Sequence, residues 1–172
     1  QGALGFRVQL YGMEKWGDLF NPRQALALIT LARLVREVGE KLATMHKNGF
    51  AAAIQTCLAL CLDRMADYNS SLCTLNVTGG RGVLHTFARQ AMPMVWDYLE
   101  TNPFNDVGAN WMAAIEAFDE TIFEESVLTN AGIIKCENAT FSPLSDDIAN
   151  IFFTDPPYYD AVPYSDLSDF FY

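Results

Sequence analysis

The chain has 172 residues, 51% of them apolar and 13% aromatic, enough to bury a sizeable core in one domain and too many for intrinsic disorder. Its formal net charge of −10 is unevenly spread: residues 1–89 hold ten Lys/Arg against six Asp/Glu, whereas residues 90–172 hold Lys135 alone against fifteen acids. Sequence-independent attraction to nucleic acid comes from cations that neutralise phosphates, which excludes the acidic half as a DNA-tracking surface by itself.

Cys57, Cys61, Cys73 and Cys136 form no CxxC pair and no regular framework, and are read as reduced core thiols. No signal peptide and no apolar span of about 20 residues is present, so the expected location is cytoplasmic and no membrane partner is expected. Three Asn-x-Ser/Thr matches, at Asn69, Asn76 and Asn138, are then ordinary polar turns. The opening at Gln1 and the apolar ending Asp169-Phe170-Phe171-Tyr172 are read as the cut ends of a larger protein.

Residues 1–19 mix Gly2, Gly5, Gly12 and Gly17 with Phe6, Leu10, Tyr11 and Trp16, a composition that predicts an irregular opening. A helix then starts with Asn21 as its cap and Pro22 at the first helical position. Leu28, Leu31, Val35, Val38, Leu42 and Met45 supply its buried stripe until about His46, and Asn48-Gly49 ends it. The spacing predicts a second helix from about Phe50 to Asp67, with Ile54, Leu58, Cys61 and Met65 on one face. Cys57 and Cys61 lie one turn apart, but no second ligand pair accompanies them, and no metal is assigned.

The stretch Asp67-Tyr68-Asn69-Ser70-Ser71-Leu72-Cys73 reads as polar and turn-rich. Gly79-Gly80-Arg81-Gly82 lacks the Lys-Ser/Thr of a phosphate loop and no convincing strand precedes it, so it reads as a loop. His46 and His85 have no carboxylate or cysteine patterned around them and are read as isolated. Pro93 predicts a helix starting near Ala91 or Met92 and running to about Glu100. After the connector at 102–106, Trp111, Ile115, Phe118 and Ile122 mark another helix, with Glu116, Asp119, Glu120, Glu124 and Glu125 on its wet side.

At Ala131-Gly132-Ile133-Ile134-Lys135-Cys136 the period becomes β-like, and Ala149-Asn150-Ile151-Phe152-Phe153-Thr154 reads as a buried strand. Helices followed by two strands predict an α-rich segment entering a sheet whose other strands lie outside this chain. Asp155-Pro156-Pro157-Tyr158 follows the second strand, where open α/β sheets keep their chemistry. Two readings fit it. One is a proline-rich stop with a turn-forming Asp and a packing Tyr. The other is a binding motif: the prolines stiffen the backbone and offer no N–H, so the Asp155 carboxylate and the Pro156 carbonyl stand as adjacent acceptors for an exocyclic –NH₂. Tyr158 would stack on a base that has left its duplex.

The tetrapeptide resembles the catalytic motif of amino-methylating DNA methyltransferases. Residues 11–24, 67–73, 89–97, 102–104 and 155–172 resemble a narrower group, large prokaryotic adenine-specific DNA methylases that carry a zinc ribbon. That resemblance implies an α/β, α-rich fold in which a helical region at about 21–125 leads into a partial Rossmann-like sheet at 131–160. It divides the chain into a helical region, 1–130, and a catalytic segment, 131–172. It implies S-adenosylmethionine as cofactor and DNA as partner, both through the full-length protein, in a prokaryotic cytoplasm. Asp155, Pro156, Pro157 and Tyr158 are then the catalytic residues, and Asn138, at a strand-end turn, stands near the cofactor's adenine. The family's glycine-rich cofactor turn has no match here and, like the zinc ribbon, is implied to lie in the missing N-terminal part, so this piece alone is expected to be inactive. Homo-oligomers through cut edges, an assembly role for the helices, and the same chemistry on RNA or cytosine are the alternatives.

Overall fold

The computed structural model describes residues 5–78, 82–106, 108–126, 132–138, 140–142, 144–158 and 162–172. Its regular part is helix-rich. Helix α1 spans Pro22–Met45, α2 Phe50–Tyr68, α3 Trp111–Glu125 and the short α4 Tyr164–Ser168. Strands β1, Thr74–Leu75, and β2, Val83–Leu84, pair antiparallel as a two-stranded sheet. No described helix is long and apolar enough to cross a membrane.

The start of α1 follows from its sequence. Asn21 Oδ1 accepts from the Arg23 and Gln24 N–H groups at 2.9 and 3.0 Å, while Gln24 Oε1 accepts from the Asn21 N–H at 2.9 Å. These bonds satisfy donors that a helix start otherwise leaves bare, and Pro22 has none to satisfy. Gly49, at φ +82°, turns the chain between α1 and α2 in a conformation that side chains disfavour. The two helices then pack closely: a methyl group at Gly39 would collide with the Gln55 side chain.

Leu31 of α1, Cys61 and Met65 of α2, and Ala114 of α3 form one buried cluster, flanked by Leu28, Leu62, Trp111, Ile115 and Phe118. The predicted stripes thus meet here, with Cys61 as a core thiol whose ionisation burial pushes up. Their outer ends do not meet: Val38, Met45 and Ile122 are exposed.

A second cluster gathers Phe6, Val8, Leu19, Leu72 and Met92, with Trp16, Phe20, Phe87 and Phe170 against it. The opening segment contributes two short 3-10 turns, Val8–Tyr11 and Trp16–Leu19. The far end of the chain closes the cluster. Phe170, in a 3-10 turn after α4, lies 5.7 Å from Trp16, 5.8 Å from Phe20 and 4.9 Å from Phe87 between ring centroids. The apolar ending is therefore not bare at Phe170, although Tyr172 is fully exposed.

Three expectations need correction. Residues 91–100 form no helix, because Met92 is bonded sideways: its N–H donates to Gly5 O at 3.2 Å and its carbonyl accepts from Arg7 N at 3.1 Å, and Pro93 has no N–H to give. Short strands flank the glycine cluster, of which Gly79, Gly80 and Arg81 lie outside the described residues. Residues 132–136 and 149–154 are exposed and pair with no described strand, so the α/β sheet expected at 131–160 is not formed there. A strand needs a neighbour for its backbone groups, and the described chain offers these runs none.

Candidate functional site

Asp155, Pro156, Pro157 and Tyr158 follow an apolar run that is open on all sides: Ile151, Phe152 and Phe153 are exposed, the last at 90%. All four motif residues are exposed, Tyr158 at 66%. Neither the Asp155 carboxylate nor the Tyr158 hydroxyl is bonded to another described residue. Tyr159, Asp160 and Ala161 lie outside the described residues.

Asn138 forms a local turn. Its Oδ1 accepts from the Thr140 N–H at 3.0 Å and from Thr140 Oγ1 at 2.9 Å, and its carbonyl accepts from the Phe141 N–H at 2.9 Å. The side chain that the resemblance assigns to the cofactor is thus engaged within its own segment. Among the described residues no hydrogen bond joins it to residues 155–158.

The structure instead brings together a polar group that the sequence left scattered. Asp67, near the end of α2, receives the Phe87 N–H on Oδ1 at 3.1 Å, and Oδ2 lies 2.8 Å from His85 Nδ1. The latter is a close polar contact without the alignment of a hydrogen bond. The expectation of an isolated His85 is corrected: the β1–β2 hairpin carries it back onto α2, where its ring also lies 5.4 Å from that of Tyr68. Beneath the pair, Thr86 Oγ1 donates to Asp67 O at 2.7 Å and meets Ser70 Oγ at 2.7 Å, while the Cys73 thiol donates to Asp67 O at 3.4 Å. Asn69, Ser70, Cys73 and Thr86 are buried. The turn-rich segment at 67–73 is thus the centre of a packed polar network.

A third polar group joins α1 to the segment after Trp96. Arg23 Nε and Nη2 donate to the two Glu100 oxygens at 2.9 and 2.7 Å, and Asn21 Nδ2 donates to Glu100 Oε2 at 3.0 Å and to Tyr98 OH at 3.1 Å. Hydrogen bonding and charge from Arg23, with the Asn21 bond, hold the Glu100 carboxyl below the usual range against a smaller opposing effect of burial.

Neither the Asp67 network nor the Arg23–Glu100 pair was legible as a pairing, since each joins residues far apart in the chain. The sequence signal was the resemblance at residues 11–24 and 67–73, which touches both groups without naming their partners. Comparison with protein-family models, with curated proteins and with solved structures finds no match to this chain.

Proposed function

We propose that this chain carries the base-binding half of a DNA adenine methyltransferase active site. The Asp155 carboxylate and the Pro156 carbonyl accept the two hydrogens of a flipped-out exocyclic amine, and Tyr158 stacks on the ring. Holding both hydrogens in bonds favours a pyramidal nitrogen with an available lone pair, and positioning supplies the rest. The observation that carries the reading is the Asp-Pro-Pro-Tyr string itself, standing exposed after an apolar run. Exposure on both faces of Ile151-Phe152-Phe153 is what a central strand shows when its sheet is absent, and a Rossmann-like sheet would cover it.

S-adenosylmethionine supplies the methyl group in such a reaction. The residues present do not fit it: Asn138 spends its amide oxygen on Thr140, and the sequence contains no glycine-rich turn of the required kind. The chain's own residues therefore account for the base side alone, and the cofactor side belongs to the larger protein that the reading requires.

The test uses the longest natural protein containing this sequence. Transfer of labelled methyl groups to adenine in DNA is expected, with loss of about a thousandfold or more on Asp155→Ala. Full activity in that variant, or methylation of cytosine or RNA instead, would overturn the assignment to adenine in DNA.

A second reading is favoured by Leu26 and Ile29, large apolar side chains exposed on α1. In it the helical region, about 21–125, serves assembly. Size-exclusion chromatography should then show association that Leu26→Glu with Ile29→Glu abolishes, and a monomer at all concentrations would exclude it.

A further inference from the structure

Helices α1 and α3 each bury one face in the shared core and leave another to solvent. On α1 the outward stripe is Leu26, Ile29, Arg33 and Arg36, with Leu26 and Ile29 each 68% exposed. On α3 it is Met112, Glu116, Asp119 and Phe123, with Met112 58% and Phe123 74% exposed. Both stripes advance by alternating steps of three and four residues, which keeps a row of side chains on one side of a helix and lets a second helix lie along it.

The two stripes are complementary in charge. Helix α3 carries five acidic residues and no basic one, and Glu116, Asp119 and Glu120 take part in no salt bridge among the described residues. On α1, Arg36 has none either, and Arg33 is held by Glu37 one turn on, an exposed pair that binds weakly. Laid antiparallel with Ile29 opposite Phe123, the helices set Arg33 opposite Asp119 and Arg36 opposite Glu116. Laid parallel with Ile29 opposite Met112, they set Arg33 opposite Glu116 and Arg36 opposite Asp119. Either way apolar meets apolar and cation meets anion, whereas two α3 stripes would set carboxylate against carboxylate. Both stripes are exposed and so do not meet within one molecule, but every other copy carries the complement of each.

We propose that the outward face of α1 docks on the outward face of α3 in a second copy of this chain. The apolar residues supply the affinity, and Arg33 and Arg36 fix the register against Glu116 and Asp119. The inference rests on the assembly reading of the helical region and names the surface that receives Leu26 and Ile29. A two-fold axis closes two such seams into a dimer, and without one the contact repeats as a chain.

The test is sedimentation velocity on the 172-residue protein between about 5 and about 500 μM. Self-association is expected, weakened about tenfold or more by Arg33→Glu with Arg36→Glu, and equally by Glu116→Lys with Asp119→Lys. An equimolar mixture of the two double variants should associate to within about threefold of the native protein, because each then offers the face the other needs. Circular dichroism checks folding, and if the α1 double variant does not fold, Arg36→Glu alone takes its place. A native protein that stays monomeric would overturn both this proposal and the assembly reading. Native association left intact by Glu116→Lys with Asp119→Lys would overturn this proposal alone, and so would a mixture that fails to associate.

Discussion

His85 Nδ1 stands 2.8 Å from Asp67 Oδ2, and directly below them Thr86 Oγ1 bridges the Asp67 carbonyl and the Ser70 hydroxyl. The imidazole is partly open to solvent, but its supports are buried. The stability of this network therefore resides mainly in Thr86.

Replacing Thr86 by Val keeps the shape and removes the hydroxyl. The Asp67 carbonyl loses its 2.7 Å hydroxyl donor but keeps the Thr86 N–H at 2.8 Å, and the buried Ser70 hydroxyl loses Thr86 but keeps the Leu72 N–H at 3.1 Å. A loss of about 1 kcal/mol in urea unfolding is expected. His85→Gln, at the network's exposed edge, should cost less.

Phe170 makes ring contacts with Trp16, Phe20 and Phe87. Phe170→Ala should destabilise the protein by about 2 kcal/mol, below the cost of a fully buried ring, since it is partly exposed. The emission of Trp16 should shift to longer wavelength as its edge contact is lost. An unchanged spectrum and midpoint would show that the chain's end does not dock on the opening segment.

Two carboxyls respond to pH in opposite senses. The Arg23 hydrogen bonds depress Glu100 in the folded state, so its contribution is present above the unfolded value of about 4.3 and is lost as pH falls through the lower folded value. Burial raises Asp63, which therefore favours folding below its unfolded value of about 3.9 and loses that advantage as pH rises through the folded value. Glu100→Gln should lower the melting temperature at about pH 7, with the difference shrinking as pH falls through the folded value. Asp63→Asn should raise it at about pH 7, with the gain disappearing at about pH 3.

Asp155 and Tyr158 are exposed and bond to no other described residue. Asp155→Ala and Tyr158→Ala should each leave stability within about 0.5 kcal/mol, as for exposed positions without partners. Unchanged melting with lost methylation would separate a base-binding role from the alternative in which this tetrapeptide only ends a strand. A drop of several degrees for Tyr158→Ala would favour that alternative.

The sequence by itself determined the local elements. The Asn21-Pro22 start, the glycine at position 49 and the three-four spacing of Leu31, Val35, Cys61 and Met65 were enough, because caps and amphipathic stripes act within a few residues. The apolar runs at 131–136 and 149–154 carried strand propensity, yet propensity alone supplies no partner, and residues 132–136 and 149–154 stay unpaired among the described residues. Only the tertiary structure decided that Met92 bonds sideways to Gly5 and Arg7 instead of continuing a helix, that Phe170 returns to Trp16, and that His85 meets Asp67. Each joins groups remote in sequence, and no pattern of a few residues can encode the partner at the far end.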